Sequence, residues 1–416
     1  MAGPRPDAPA LPFESGGPRM DTDTPPKRLI GRAAAVRFIV LLGVVSLFAD
    51  MTYEGARSIT GPYLGVLGAS ATVVGIVAGL GELLGYAARL GSGWLGDRTQ
   101  RYWTITIIGY AINLMAVPLL ALAWRWEAAA VLIVAERTGR AIRSPARDAM
   151  LSHAASRTGL DWGFGLHEAM DQTGAVIGPL LVSIILYFKQ GYAPAFAILT
   201  VPALISMGAV LAARSLFPRP RDFELAPPPL LEAQNLRWIY WLYVAGAGLI
   251  GAGYADFALI AYHFGQATIV SAAAIPLLYA VAMATDGAAA LILGALFDRY
   301  GAVVMVASMA VGAIAAPLVF LGGAAAAFAG MILWGIGVGA QDPLIRAAVT
   351  RIVAPDRRAT AFGVLNAVFG ISWFVGSSVL GILYDRSVVA VVVVSAGLQL
   401  LALPVLFAAT ARGRRR

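Results

Sequence analysis

Charge is scarce in this chain. Asp, Glu, Lys and Arg make up 13% of its 416 residues while 59% are hydrophobic, and the mean hydropathy is +0.75. A soluble domain carries about 25% charged and about 45–50% apolar residues, so too little polar surface is left to cover a water-soluble body. Soluble folds are excluded, and an integral membrane protein remains. Cysteine is absent altogether, which removes disulfides and thiolate metal sites. Lysine is nearly absent: Lys27 and Lys189 stand alone and every other base is Arg, a bias read as genome composition. No G-x-x-x-x-G-K followed by Ser or Thr occurs, which argues against an ATP-driven pump. Neither an H-E-x-x-H nor a His/Cys cluster points to an intramembrane metal enzyme. No enzymatic activity, cofactor or metal is therefore expected.

What is present is a succession of long apolar runs. They lack the short alternating segments of a β-barrel and match the roughly 20 residues that a spanning helix needs. Twelve spans are predicted near 35–65, 70–96, 103–124, 127–152, 163–188, 192–214, 237–264, 269–297, 302–322, 325–352, 359–384 and 387–411. Residues 1–33, rich in Pro, Gly, Asp and Arg, read as a disordered tail without a signal peptide, and Met20 is a candidate alternative start. The longest polar interval inside the membrane part, 215–236, reads as a linker between a bundle at 34–214 and another at 237–411, with a short basic tail at 412–416. Placing the N-terminus inside puts Lys27, Arg28, Arg98, Arg101, Arg214, Arg219, Arg299 and the C-terminal arginines on one side, and leaves little beyond Arg125, Lys189 and Arg386 on the other. The positive-inside rule then sets both termini in the cytoplasm of a cell bounded by an inner membrane.

The two halves can be laid on each other at an offset of about 200 residues. Gly93-Trp94-Leu95-Gly96-Asp97-Arg98 recurs as Gly294-Ala295-Leu296-Phe297-Asp298-Arg299, Phe164-Gly165 recurs as Phe362-Gly363, Gly178 falls on Gly376 and Pro145 on Pro343. A duplicated six-helix unit is implied, with a binding site at mid-depth between the copies.

The pattern G-x-L-x-D-R-x-x-R, read at Gly93, Leu95, Asp97, Arg98 and Arg101, resembles the loop signature of the major facilitator superfamily, and Asp298-Arg299 its weaker second copy. The likeness runs over nearly the whole membrane part. It implies an all-α fold of twelve transmembrane helices in two pseudo-symmetric six-helix bundles, working by alternating access. Gly174 to Gly178-Pro179 is similar to that superfamily's G-x-x-x-G-P antiporter element. Ala49-Asp50-Met51 with Glu54, and the stretch from Gly139 through Arg143 to Arg147-Asp148, resemble a prokaryotic subgroup whose substrates are mostly unassigned. In the loop signature Gly93 is expected to allow close helix approach and Asp97 to meet a helix terminus or an Arg, as a latch. Arg147 and Asp148 are expected to pair with Asp97 and Arg98.

A charge at the bilayer centre costs about 2.5–3.5 kcal/mol, so intramembrane charges are functional candidates. Span 1 carries Asp50, Glu54 and Arg57 on one stripe, and burial makes a carboxylate easier to protonate. Asp50 and Glu54, joined by Glu136, are therefore the proton-coupling candidates. Span 4 carries Glu136, Arg140, Arg143 and Arg147 on one face, with Arg137 and Asp148 beside it. Arg57, Arg140 and Arg143, together with Glu168, Asp171 and Asp256, are the substrate-binding candidates. Glu82, Arg89, His167 and Gln172 either complete a cavity or pair with the arginines, and the second half offers Asp256, His263, Asp286, Asp342 and Arg346. A pairwise structural role competes for each. The halves thus divide into coupling in the first and substrate shape recognition in the second, where Tyr254, Tyr262, Trp334 and Trp373 are aromatic candidates.

The resulting expectation is secondary active transport of a small molecule, proton-coupled and exporting, by a monomer in the lipid bilayer without nucleic-acid partners. Uptake of an organic anion is the rival that the arginines motivate, and a non-transporting receptor or scaffold is the second.

Overall fold

Inside a bilayer every backbone N–H and C=O must find a partner within its own segment, so long apolar runs become helices. A computed structural model describes residues 31–156, 158–189, 191–219, 238–353 and 358–413. The N-terminal tail up to residue 30, the linker at 220–237 and the last three arginines lie outside the described residues, as do the side chains of Asp342 and Arg346.

The helices are α1 Arg32–Val66, α2 Ala71–Thr99, α3 Tyr102–Leu119, α4 Trp126–Ala155, α5 Leu160–Lys189, α6 Tyr192–Ile198, α7 Thr200–Leu216, α8 Trp238–Gly253, α9 Phe257–Gln266, α10 Ala274–Tyr300, α11 Ala302–Ala313, α12 Ala315–Leu321, α13 Ala324–Ile352, α14 Arg358–Tyr384 and α15 Val388–Gly413. They make twelve passes, because α6–α7, α8–α9 and α11–α12 are each one pass broken within the membrane. Two of the breaks have a plain cause. Pro202 and Pro317 stand in the first turns of α7 and α12, where each removes a donor and clashes with the preceding turn. The predicted eighth span starts late, at Ala274: Thr268 adopts a left-handed φ of 51° and the chain turns before the helix can begin.

Eleven passes are apolar enough to be recognised as spans by composition, and α4 is the pass that is not. It is nevertheless a 30-residue helix. Its charges must therefore be matched by its neighbours, which places the functional centre around α4.

The buried apolar residues fall into three clusters. One joins both halves, from Ile59, Val74, Phe196 and Val182 on one side to Phe257, Tyr279, Phe320 and Leu380 on the other. The second contains only first-half residues, such as Phe38, Tyr110 and Met150, and the third only second-half residues, such as Tyr240, Met309 and Leu344. The joint core occupies the end away from the termini, and the separate cores occupy the end that carries them. The bundle is therefore sealed at the far end and parted at the termini end.

Tight backbone approaches between the halves follow the same division. A Cβ on Gly61 would lie 1.9 Å from the Ala258 carbonyl oxygen, one on Gly75 2.2 Å from that of Ser377, and one on Gly381 2.5 Å from that of Ala71. Only Gly permits these crossings. At the far mouth Asp385, between α14 and α15, caps the start of α2 in the other half. It accepts from Ala71 N at 3.1 Å, Thr72 N at 2.9 Å and Thr72 Oγ1 at 2.6 Å.

Candidate functional site

The site begins with a break. In the seventh pass α8 ends at Gly253, Tyr254 and Ala255 are not helical, and Asp256 restarts the helix by accepting from Ala258 N at 2.9 Å. Asp is a preferred N-cap because its carboxylate satisfies an orphan N–H. The carbonyls freed by the break are answered from neighbouring helices. Gly253 O accepts from Ser395 Oγ at 2.6 Å and Gln399 Nε2 at 3.2 Å, Ala255 O accepts from Trp334 Nε1 at 3.0 Å, and the Tyr254 hydroxyl donates to Trp334 O. The sequence predicts one continuous helix over 237–264. The structure breaks it at Tyr254 and Ala255, which leaves the Asp256 carboxylate at the start of a helix and not in the middle of one.

Around Asp256 the charged stripes of α1 and α4 close into a ring of alternating sign. Glu54 lies 3.8 Å from Arg57 and 3.6 Å from Arg140; Arg57 lies 3.7 Å from Asp256; Asp256 lies 3.7 Å from Arg137; Arg137 lies 2.9 Å from Glu82; and Glu82 lies 3.6 Å from Arg140. Each carboxylate touches two guanidinium groups and each guanidinium two carboxylates. Asp256 is the ring's one contribution from the second half. Two hydrogen bonds fix it: across the halves the Tyr279 hydroxyl of α10 donates to Glu54 Oε2, and within the second half Trp373 of α14 donates to Asp256 at 3.4 Å.

Beside the ring, Arg143 is 1% exposed and sits 3.9 Å from Asp50. It donates to the Tyr110 hydroxyl at 2.7 Å, and its guanidinium lies over the rings of Tyr110 and Tyr53 at 4.3 and 5.7 Å. Asp50 Oδ1 is buried and accepts no hydrogen bond among the described residues. Gly174 and Gly178 of the G-x-x-x-G-P element face the same stretch of α1, where a Cβ would come within 2.2 Å of Leu47 O and 2.3 Å of Met51 O. That element thus packs α5 on both sides of Asp50.

The remaining candidates divide. Glu136 faces α3, where Asn113 donates to it at 2.8 Å; it is not a ring member. Arg147 pairs with Asp148 at 2.8 Å and lies 3.9 Å from Asp171, close to Ser46 and His167. Glu168 is exposed and accepts from Gln172 at 3.5 Å. In the loop signature the structure departs from expectation. Asp97 and Arg98 are exposed, Arg98 stacks over Trp94 at 5.3 Å, and Arg147 and Asp148 pair with each other and not with them. Arg101 precedes α3 as its N-cap, and Asp298 and Arg299 are exposed at the end of α10. A Cβ on Gly93 would sit 3.6 Å from Pro145, ordinary contact, so helix packing in this conformation does not require a glycine there. The physical reason for the changed pairing is local to the first half: Arg147 finds nearer acceptors in Asp148 at 2.8 Å and Ser46 at 3.2 Å.

Glu82, expected to complete a cavity or to pair with the arginines, pairs with Arg137 and Arg140 in the ring, and Tyr53, Tyr110 and Tyr279, which the sequence does not single out, surround it. The period of α4 already set Arg137 beside the charged face. Nothing local marked Tyr279, which meets a residue 225 positions away.

On the termini side of the ring, between the halves, lies a cavity of about 180 Å³. Tyr86 and Arg89 of α2 line it from one half, and Gln341, Asn366, Phe369 and Trp373 from the other. A void of about 10 Å³ shares Tyr86 and Arg89 with it and is bounded by Glu82, Arg137 and Arg140 of the ring.

The family model described as Major Facilitator Superfamily matches residues 39–254 and again 238–416. An uncharacterized protein of Mycobacterium tuberculosis is 41% identical over 381 residues, covering 90% of this chain and 93% of that one. An uncharacterized MFS-type transporter of Methanocaldococcus jannaschii is 30% identical over 152 residues, 36% of this chain and 38% of that one. Among solved structures, the nucleoside transporter NupG superposes with a TM-score of 0.71 at 17% identity, over 90% of this chain and 99% of that one. At that identity the likeness is one of fold.

Proposed function

From the premise that the chain belongs to the Major Facilitator Superfamily, as a multi-pass membrane transporter of that type acting on a small molecule, we propose that it is a proton-coupled exporter working by antiport. The observation that carries this reading is the charge ring. Glu54 is tied at once to arginines of its own half and to Tyr279 of the other, so its protonation weakens a contact that depends on how the halves are arranged. Asp50, one oxygen of which lacks a donor among the described residues, is the adjoining proton acceptor. The G-x-x-x-G-P element packs against this part of α1, which supports antiport. With the basic termini side in the cytoplasm of the inner membrane, the parted end faces inward, as loading of an exporter requires. The molecule acts as a monomer, and its dealings are with protons, lipid and solute.

The competing reading, uptake of an organic anion held by Arg57, Arg140 and Arg143, meets a physical difficulty: each of those guanidinium groups already faces a carboxylate within 3.9 Å.

Proteoliposomes containing a lumenal pH dye test the proposal. Solute-dependent proton movement is expected in the wild type and is lost in Asp50→Asn and Glu54→Gln, with folding checked by intrinsic-fluorescence melting. Full coupling in both variants removes the idea.

A further inference from the structure

We propose that the cavity between α2 and the second half receives a single-ring aromatic anion, with Arg89 as the group that binds its charge. This rests on the transporter reading above and adds the substrate class.

Size comes first. A cavity of about 150 Å³ takes up benzene, so about 180 Å³ is room for one aromatic ring with a small substituent. The walls come next. Phe369 and Trp373 pack at 5.5 Å between centroids with a 49° tilt, and Tyr86 meets Phe369 edge-on at 6.3 Å. Such faces and edges suit a flat π-system. Charge decides the rest. Arg89 is the one charged residue among the described lining groups, and no carboxylate joins it.

Arg89 also differs from every ring arginine. Arg57, Arg137 and Arg140 are neutralised by acidic partners, whereas Arg89 is exposed, packs its guanidinium 5.6 Å from the centre of the Tyr86 ring, and has no carboxylate within 4 Å among the described residues. A guanidinium held on an aromatic face keeps its fork of donors free for a carboxylate or sulfonate. Gln341, 6% exposed, and Asn366 supply amides on the opposite wall. A ligand here touches both halves at once. It therefore binds differently when the halves rearrange, as any transported solute must.

The test uses the full chain in detergent at pH 8, with four probes read by calorimetry: benzenesulfonate, its neutral analogue methyl phenyl sulfone, methanesulfonate and benzyltrimethylammonium. Benzenesulfonate is expected to bind at least about tenfold more tightly than each of the others, the discrimination that one charge-assisted pair supplies. Arg89→Gln should remove that preference while Arg89→Lys keeps most of it, and Trp373→Phe should weaken all ring-bearing probes together. Equal binding of the sulfone, preference for the ammonium, or an Arg89→Gln variant indistinguishable from wild type would overturn the assignment. Proton flux separates the two readings. If benzyltrimethylammonium moves protons while benzenesulfonate neither binds nor moves them, transport stands and this substrate class fails. If benzenesulfonate binds through Arg89 while no probe moves protons, the class stands and proton coupling fails.

Discussion

Asp385 provides a latch whose strength can be worked from its contacts. Its carboxylate spans the far mouth, accepting two backbone N–H groups and one hydroxyl at the start of α2, all from the opposite half. Burial pushes its pKa up, but the bonds from Thr72 and Ala71 outweigh that and hold it below the ordinary aspartate value. A hydrogen bond to a charged group contributes about 1.5–3 kcal/mol when shielded. Asp385 is exposed, so the whole latch is discounted to about 1–2 kcal/mol. Replacing it with Ala should therefore lower the ratio of far-closed to far-open molecules by about 5–30-fold. Asp385→Asn, which keeps one acceptor oxygen, should fall between. The sign with pH is fixed by the depressed pKa. The latch is fully present above the ordinary carboxylate range and is lost only as pH falls through the lower folded value, so it is constant between about pH 5 and 8. The chain has no native Cys, which makes spin labels on Trp124→Cys and Ala324→Cys, at the far ends of opposite halves, a clean distance probe. An Asp385→Ala population within twofold of wild type, or a latch that weakens between pH 8 and 5, refutes the reasoning.

Two further outcomes follow from packing and charge. Gly61→Ala places a methyl 1.9 Å from Ala258 O and should lower stability by about 1–3 kcal/mol, whereas Gly208→Ala, with nothing within 4 Å, should raise it by about 0.5–1 kcal/mol; melting by intrinsic fluorescence ranks the two, and the same sign for both would contradict the account. Glu82→Gln removes the charge, but not the acceptor oxygen, that faces Arg137 at 2.9 Å, and leaves it Asp256 at 3.7 Å, so it should destabilise by about 1–3 kcal/mol, while Glu82→Gln with Arg137→Gln should recover part of that loss, so that a strictly additive double variant would show the pair to be uncoupled.

Much of this architecture was legible because a bilayer leaves one solution for a long apolar run. Eleven passes are visible in hydropathy alone, and α4 was found by counting spans despite its charges. The stripe of Glu54 and Arg57 was also readable, since helical spacing sets which residues share a face. The break at Tyr254 was not read, although Gly251, Gly253 and the capping Asp256 all mark it. Its stability comes from Ser395, Gln399 and Trp334, which belong to distant passes. The loop signature shows a different limit. Asp97 makes no ion pair among the described residues, because Arg147, the partner its motif suggests, is taken by Asp148 at 2.8 Å, a competition between adjacent residues that a sequence pattern does not rank.

Charge balance links the ring to the proposed coupling. Asp50, Glu54, Glu82 and Asp256 face Arg57, Arg137, Arg140 and Arg143, so the buried cluster as drawn is neutral. On the proposed reading one added proton leaves it with a surplus positive charge in a medium where an unmatched charge costs several kcal/mol. The cheapest relief is at the contacts between halves, where Arg57 and Arg137 share Asp256 at 3.7 Å, and not at the shorter Arg137–Glu82 pair inside the first half. Protonation of Glu54 also weakens its contacts with Arg140 at Oε1 and with Tyr279 at Oε2. On that reading the first contacts to yield are those that join the halves, and through them a local proton transfer would rearrange the whole bundle.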